Sequence, residues 1–232
     1  KALYNTVIAG INIAGDRYFY VNPLEVVPEF CTEHTYMEHV KPVRQKWFGV
    51  ACCPPNVGRT LASLGQYIYA EDEYGVYINQ FISSTADTEV RESRLKIKMN
   101  STLLQDGKVQ IEVQSSGPGN LNIRIPWYSG KCECVQNGIS IEIQPEKGYQ
   151  RLSISPGDTY ISLDFHVSPR WMGANNGVRA DAGKAALMKG PIVYCLEEVE
   201  NGKLLSQVCV KPNEEVKEEA KEAYKEKMEE KA

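Results

Sequence analysis

The chain has 232 residues, of which 42% are hydrophobic, and its formal net charge is −4 at pH 7. This length can bury a substantial core, while the lack of a basic face or a membrane-length apolar run argues against nucleic acid or a membrane as partner. Seven cysteines without regular spacing do not suggest a disulfide framework, so reduced thiols and a cytoplasmic location are expected.

The N-terminal third of the chain combines helix with long loops. Apolar residues at helical spacing predict a helix over residues 2–11, and residues 18–21 read as a short extended segment. Residues 25–50 show no clear period and predict a long ordered loop, a type of segment that is often functional. Because the chain opens inside a helix and lacks an initiator Met, we expect it to be a fragment of a longer protein.

Two adjacent cysteines, Cys52 and Cys53, precede two prolines and Asn56. The prolines and the capping tendency of Asn predict a helix from Asn56 to about residue 70, with both thiols in the turn just before it. At a helix N-terminus the dipole and the free N–H groups favour thiolate over thiol. A thiolate is both a nucleophile and a zinc ligand. The alternative is a pair of buried structural cysteines before a capped helix.

From about residue 75 the hydrophobic period changes from helical to two. Alternating apolar runs are separated by turns rich in Gly, Pro and Asn, which predicts short antiparallel strands. The runs cover residues 95–99, 109–113, 121–125, 139–143, 152–154 and 161–167. They predict an antiparallel β-sandwich, with a small closed barrel as the alternative. The Glu- and Lys-rich tail from residue 213 predicts a solvated helix without a chemical role.

Five segments in the same order resemble glycoside hydrolase family 127, the family of bacterial β-L-arabinofuranosidases. The CCPPN turn is the most specific of them. The segments are YFYVNPLE at 18–25, RQKWF at 44–48, CCPPN at 52–56, NLNIRIPW at 120–127 and GKAALMKGPIVYC at 183–195. The resemblance implies an α+β multi-domain fragment. Residues 1–72 would end an (α/α)6-type helical barrel and residues 73–210 would form the antiparallel β-sandwich. The charged helical tail predicted over residues 211–232 departs from the resemblance, which implies further strands there.

The resemblance also implies an activity, a cofactor and site residues. The family enzymes are retaining and zinc-dependent, and a cysteine thiolate replaces the second carboxylate of other retaining glycosidases. Carried over by position, Cys52 is the nucleophile and a zinc ligand, Cys53 is a zinc ligand, and Tyr20 contacts the sugar. The implied substrate is a terminal β-L-arabinofuranosyl residue of a plant-type oligosaccharide or glycoconjugate. A homodimer is a possible assembly.

Part of the implied site is expected to lie upstream of this chain. The family completes its zinc site with a Glu-x-Cys pair and takes its acid/base from another Glu. Glu29 and Cys31 have the same local spacing, but they follow Pro28 in a different sequence context, so we interpret the match as coincidental. We therefore expect the isolated chain to be inactive.

Two other functions compete with the glycosidase. A structural zinc module would hold its ion with four protein ligands and no open cleft. A non-catalytic carbohydrate-binding sandwich would present a row of exposed aromatics, whereas the aromatics here are scattered.

Three aromatic residues have alternative interpretations. Tyr20 is equally well interpreted as a buried core residue. Trp127 and Trp171 suit sugar stacking, but packing in the core or between domains is the favoured interpretation.

Overall fold

The computed structural model describes residues 2–23, 25–31, 39–211 and 215–218. It divides into two compact units. The first unit comprises residues 1–168 and 189–193, and the second comprises residues 169–188 and 194–232. Strands dominate the first unit, so the fold is mostly β with few helices.

Helical segments at the start of the first unit are short. They are a π-helix at Leu3–Ile8, a 3-10 turn at Pro28–Phe30, α1 at Cys53–Ala62 and α2 at Gly65–Ile68. In place of the helix predicted over residues 2–11, the chain forms a π-helix at Leu3–Ile8. This π-helix is shorter than predicted and wider than an α-helix. Within the described part of residues 1–72 these helices do not build a barrel by themselves.

The predicted start of the helix at Asn56 was wrong. Helix α1 begins at Cys53, so Pro54 and Pro55 lie in its first turn and Cys52 is the N-cap. Proline is tolerated there because first-turn N–H groups have no partner within the helix. Asn56 is not the cap, since its side-chain amide donates back to the Cys52 carbonyl at 2.8 Å. The helical path is also interrupted at Ser63, where the hydroxyl bonds the Arg59 carbonyl at 2.9 Å.

Two β-sheets form most of the rest of the first unit. The four-stranded sheet has the order β1 (Tyr69–Asp72), β2 (Gly75–Ile78), β6 (Gly119–Arg124), β9 (Tyr149–Ile154). The six-stranded sheet has the order β3 (Ser84–Val90), β4 (Ser93–Ser101), β5 (Lys108–Ser115), β10 (Gly157–Asp164), β7 (Glu133–Gln136), β8 (Ile139–Ile141). Two separate sheets correspond to a sandwich rather than to a closed barrel.

The sandwich is not purely antiparallel, which corrects the prediction. Strands β2 and β6 pair in parallel, with Val76 opposite Leu121 and Ile78 opposite Ile123. Three strands of the other sheet, β3, β4 and β5, lie between them in the chain. When the chain reverses direction at each connection, an odd number of intervening strands returns it in the original direction. The parallel pair therefore follows from the way the chain crosses between sheets.

Alternating side chains of the two sheets build one hydrophobic core. In β4, Leu95, Ile97 and Met99 are buried while Lys96 and Lys98 face solvent. The same alternation in β5 and β10 places the apolar face of each strand in a single cluster with residues of the other sheet. Burial of this face is the main source of stability for the unit.

Phe165 is completely buried, and its ring centroid lies 4.7 Å from that of Phe81. We expect Phe165→Ala to lower the free energy of unfolding by about 3–5 kcal/mol, because it removes a large core side chain and leaves a cavity. Urea unfolding followed by tryptophan fluorescence measures the change. The matched control is Tyr160→Ala on the outer face of β10, where the side chain is 59% exposed. The control should shift stability by less than about 0.5 kcal/mol; equal losses would contradict this assignment of the core.

The second unit contains β11 (Pro169–Gly173), most of β12 (Ala185–Lys189), a short helix α3 (Glu198–Asn201) and two 3-10 turns. Strand β13 (Ile192–Val193) belongs to the first unit. Of the helix predicted over residues 211–232, residues 211 and 215–218 are described and are not helical, and the remainder lies outside the described residues. No helix in the described ranges has the length and apolar character needed to cross a membrane.

Candidate active site

The two adjacent thiols lie at the start of helix α1. Cys52 is the N-cap residue and Cys53 is the first helical residue, and their sulfur atoms are 3.9 Å apart. Cys52 is exposed, whereas Cys53 is partly buried. Because both sulfurs approach each other on one side of the helix start, a single thiophilic ion or an incoming electrophile can reach them. The two thiols therefore lie at a helix N-terminus, as predicted, but the helix begins at Cys53 rather than at Asn56.

The third member of the site comes from a distant part of the chain. The Tyr20 hydroxyl lies 3.3 Å from Cys52 Sγ, which is hydrogen-bonding distance to sulfur. The Tyr20 ring is partly buried and packs against Phe48 with a centroid distance of 5.4 Å. Family resemblance suggested Tyr20 as a sugar contact. Its contact with the cysteine was missed, and no local pattern reveals a bond between residues 32 positions apart.

The surroundings of the two thiols shift their pKa values in opposite directions. The hydrogen bond from Tyr20, followed by the one from Cys53, lowers the pKa of Cys52 below its ordinary value. Desolvation, followed by the neighbouring Cys52, raises the pKa of Cys53. Position at the N-terminus of α1 adds to the stabilisation of a negative charge on Cys52. Cys52 is therefore the thiol that ionises first and the better candidate for a nucleophile at neutral pH.

Removing the Tyr20 hydroxyl should make Cys52 less reactive. A hydrogen bond that lowers the pKa of Cys52 increases the thiolate fraction at neutral pH, so Tyr20→Phe should raise that pKa and slow alkylation. Iodoacetamide labelling of the metal-free protein, followed at the Cys52 peptide by mass spectrometry, measures the rate against pH. The rate midpoint should move to higher pH in the variant. A Tyr67→Phe control, which changes an exposed tyrosine, should leave the midpoint in place.

A midpoint that stays in place in Tyr20→Phe as well would mean that the Tyr20 hydroxyl does not stabilise the thiolate of Cys52.

The geometry of the thiol pair fits zinc. Tetrahedral coordination with Zn–S bonds of about 2.3 Å places two sulfur ligands about 3.8 Å apart, and the observed separation is 3.9 Å. Within the described ranges no third His, Cys, Asp or Glu joins the pair to form a ligand cluster. Cys31 is buried, and its thiol donates to the Val27 carbonyl at 3.3 Å. The pair could therefore supply at most two of the four ligands that a tetrahedral zinc site needs.

Other residues singled out in the sequence have different surroundings. Burial raises the pKa of Cys132 to about 12 and that of Cys134 to about 11, so both remain protonated and unreactive. Trp127 is 57% exposed and makes an edge-to-face contact with Tyr128 at 6.0 Å. Trp171 is partly buried in the second unit.

Comparison with known protein families identifies the family to which this chain belongs. Residues 1–66 match the β-L-arabinofuranosidase catalytic domain of glycoside hydrolase family 127, residues 75–165 match the middle domain of that family, and residues 169–225 match its C-terminal domain. The chain belongs to glycoside hydrolase family 127. The thiol pair and Tyr20 lie in the part that matches the family's catalytic domain.

Three similar proteins are arabinofuranosidases by name. A non-reducing end β-L-arabinofuranosidase of Bifidobacterium longum is 38% identical over 210 residues, which is 87% of this chain and 31% of that protein. A family 127 β-L-arabinofuranosidase of Geobacillus stearothermophilus has a solved structure with a TM-score of 0.82 and 41% identity, covering 88% of this chain and 33% of that one. A further family 127 β-arabinofuranosidase structure has a TM-score of 0.71 and 28% identity, covering 82% and 31%. The chain thus spans about a third of the length of these relatives.

Proposed function

We propose that this chain is part of a retaining, zinc-dependent β-L-arabinofuranosidase in which Cys52 is the nucleophile. The observation that carries the proposal is the exposed Cys52 sulfur at the start of α1, with the Tyr20 hydroxyl 3.3 Å away and the Cys53 sulfur 3.9 Å away. This geometry lies in the region that matches the family's catalytic domain. The names of two relatives, both β-L-arabinofuranosidases and one of them specific for the non-reducing end, support terminal β-L-arabinofuranosyl residues of glycans as substrate.

Zinc is the cofactor of this proposal, and Cys52 and Cys53 would hold it. When bound, zinc keeps a coordinating sulfur ionised at neutral pH. We further propose that residues 1–72 close an (α/α)6-type helical barrel, whose other helices lie in the rest of the catalytic domain. That part of the enzyme would supply the remaining ligands and the general acid.

The chemistry follows from the position of Cys52. Its sulfur attacks the anomeric carbon, a carbon–sulfur bond forms, and the glycosidic carbon–oxygen bond breaks as a carboxylic acid protonates the leaving oxygen. Water, deprotonated by the same carboxylate, then attacks the anomeric carbon and the sulfur leaves as thiolate. Two inversions give net retention. The Tyr20 hydroxyl orients the sulfur and stabilises its negative charge before attack and after release.

Hydrolysis of chromogenic arabinofuranosides by the full-length protein tests the function. We expect turnover of 4-nitrophenyl β-L-arabinofuranoside and a rate on the α anomer lower by about 10³-fold or more, because the nucleophile must lie opposite the leaving group. Proton NMR of the first turnovers should show β-L-arabinofuranose before mutarotation. Preference for the α anomer would refute the substrate assignment, and initial release of α-L-arabinofuranose would refute retention.

Loss of the second thiol should remove the metal. We expect Cys53→Ser to lower zinc content from near one ion per protein to below about a tenth under buffered zinc, because a neutral hydroxyl is a poor replacement for a thiolate ligand. Mass spectrometry of the dialysed full-length protein measures the metal. Cys132→Ser is the control, since that thiol is protonated and lies elsewhere in the sandwich. Full zinc occupancy in Cys53→Ser would show that Cys53 is not a ligand.

A further inference from the structure

The segment of residues 44–48 is attached to the segment that carries Tyr20. Backbone N–H groups and carbonyls of Tyr18 and Gln45 exchange two hydrogen bonds, each of 2.9 Å. The Arg44 guanidinium donates to the Ala9 carbonyl at 2.8 Å and lies 4.6 Å from the centre of the Phe19 ring. These contacts join stretches that are more than twenty residues apart in the chain. They hold residues 44–48 in a defined position beside residues 18–20.

Phe48 is the member of this segment that reaches the candidate site. Its ring contacts the rings of both Tyr18 and Tyr20, with centroid distances of 5.1 and 5.4 Å and tilts of 58° and 44°. Tilted arrangements at these distances are favourable aromatic contacts. Phe48 is partly buried, whereas the neighbouring Trp47 is 60% exposed. The Phe48 ring therefore packs beside the side chain whose hydroxyl meets the Cys52 sulfur.

We propose that Phe48 is a positioning residue of the active site, which holds the Tyr20 ring so that its hydroxyl stays on the Cys52 sulfur. This inference rests on the proposed function. The orientation of a tyrosine ring depends on two side-chain torsions. Staggering and the backbone limit these torsions to a few rotamers, and packing selects among them. Without the Phe48 ring the Tyr20 hydroxyl moves off the sulfur, which is then less well oriented for attack. Displacements of about 1 Å in such groups cost up to about a hundredfold in rate.

A double-mutant cycle on the full-length protein tests this role. Phe48→Leu should lower kcat about tenfold to a hundredfold with a smaller change in KM. In the Tyr20→Phe background, which has already lost the hydroxyl, Phe48→Leu should change kcat by less than about twofold. Phe48→Tyr keeps the ring and should retain kcat within about twofold. Equal losses from Phe48→Leu in both backgrounds, or a loss in Phe48→Tyr as large as in Phe48→Leu, would overturn the proposal.

A second measurement does not depend on glycosidase activity. Iodoacetamide alkylation of Cys52 at pH 7, in protein stripped of metal by a chelator, reports the environment of the sulfur directly. Tyr20→Phe, Phe48→Leu and the double variant should all slow alkylation by the same factor. Multiplied effects in the double variant would overturn the role of Phe48. If the wild-type protein did not hydrolyse arabinofuranosides, the proposed function would fail, and this cycle would still decide whether Phe48 positions Tyr20. Phe48→Met replaces Phe48→Leu if the latter does not fold.

Discussion

Replacing Cys52 by serine in the full-length protein is expected to lower kcat for 4-nitrophenyl β-L-arabinofuranoside by about 10⁴-fold or more. Losses of this size are typical when the nucleophile of a covalent mechanism is removed. A serine hydroxyl is almost entirely protonated at neutral pH, whereas the Tyr20 hydrogen bond and the helix N-terminus favour the ionised form of Cys52. Steady-state kinetics at saturating substrate measure the loss.

Cys209→Ser is the matched control for this experiment, because Cys209 is an exposed thiol in the second unit. It should keep kcat within about twofold. Mass spectrometry adds a direct observation of the covalent step. A slow substrate should leave a pentosyl group on the Cys52 peptide of the wild-type protein and none on the serine variant. Turnover of Cys52→Ser within tenfold of wild type would defeat the assignment of the nucleophile.

The 232-residue chain by itself is expected to release no nitrophenol above the uncatalysed rate. A retaining glycosidase needs a proton donor for the leaving oxygen as well as a nucleophile. Among the described residues, no carboxylate or further thiol joins Cys52 and Cys53 as a cluster of three. Zinc should therefore bind weakly to the isolated chain, and the sulfur should lose much of its activation. The comparison is with the full-length protein at equal concentration and with added zinc.

Glu29 provides the decisive control for the isolated chain. It lies in the 3-10 turn Pro28–Phe30, two residues before the buried Cys31. If these two residues completed a local site, the chain would hydrolyse the substrate and Glu29→Gln would abolish the activity. Robust turnover that disappears in this variant would show that the Glu29–Cys31 match is functional. Turnover that persists in the variant would place the proton donor on another residue of the chain.

The strands of the sandwich could be predicted because their signal is local. Leu95, Ile97 and Met99 alternate with lysines, and a pleated strand turns that alternation directly into one buried and one exposed face. The parallel pairing of β2 with β6 could not be predicted in this way. It joins Val76 to Leu121 across three intervening strands, so it depends on which sheet each strand enters.

The start of helix α1 could not be predicted correctly from the neighbouring residues alone. Two prolines argue against helix in general, but they are acceptable in the first turn, where their missing N–H groups are not needed. Treating them as a barrier placed the cap at Asn56 instead of at Cys52. The chemical consequence was small, because both thiols remain at the helix N-terminus in either case.

By itself the sequence determined the adjacency of Cys52 and Cys53, their place at a helix start, and the alternating faces of the strands. Each of these depends on neighbouring residues and on the fixed geometry of helix and strand. Only the tertiary structure decided that Tyr20 meets Cys52 at 3.3 Å and that Phe48 packs against Tyr20. Such contacts join segments that are far apart in the chain, and no pattern in the sequence indicates that these segments meet in space. Their geometry follows from how the core and the loop of residues 39–52 pack, which no local pattern encodes.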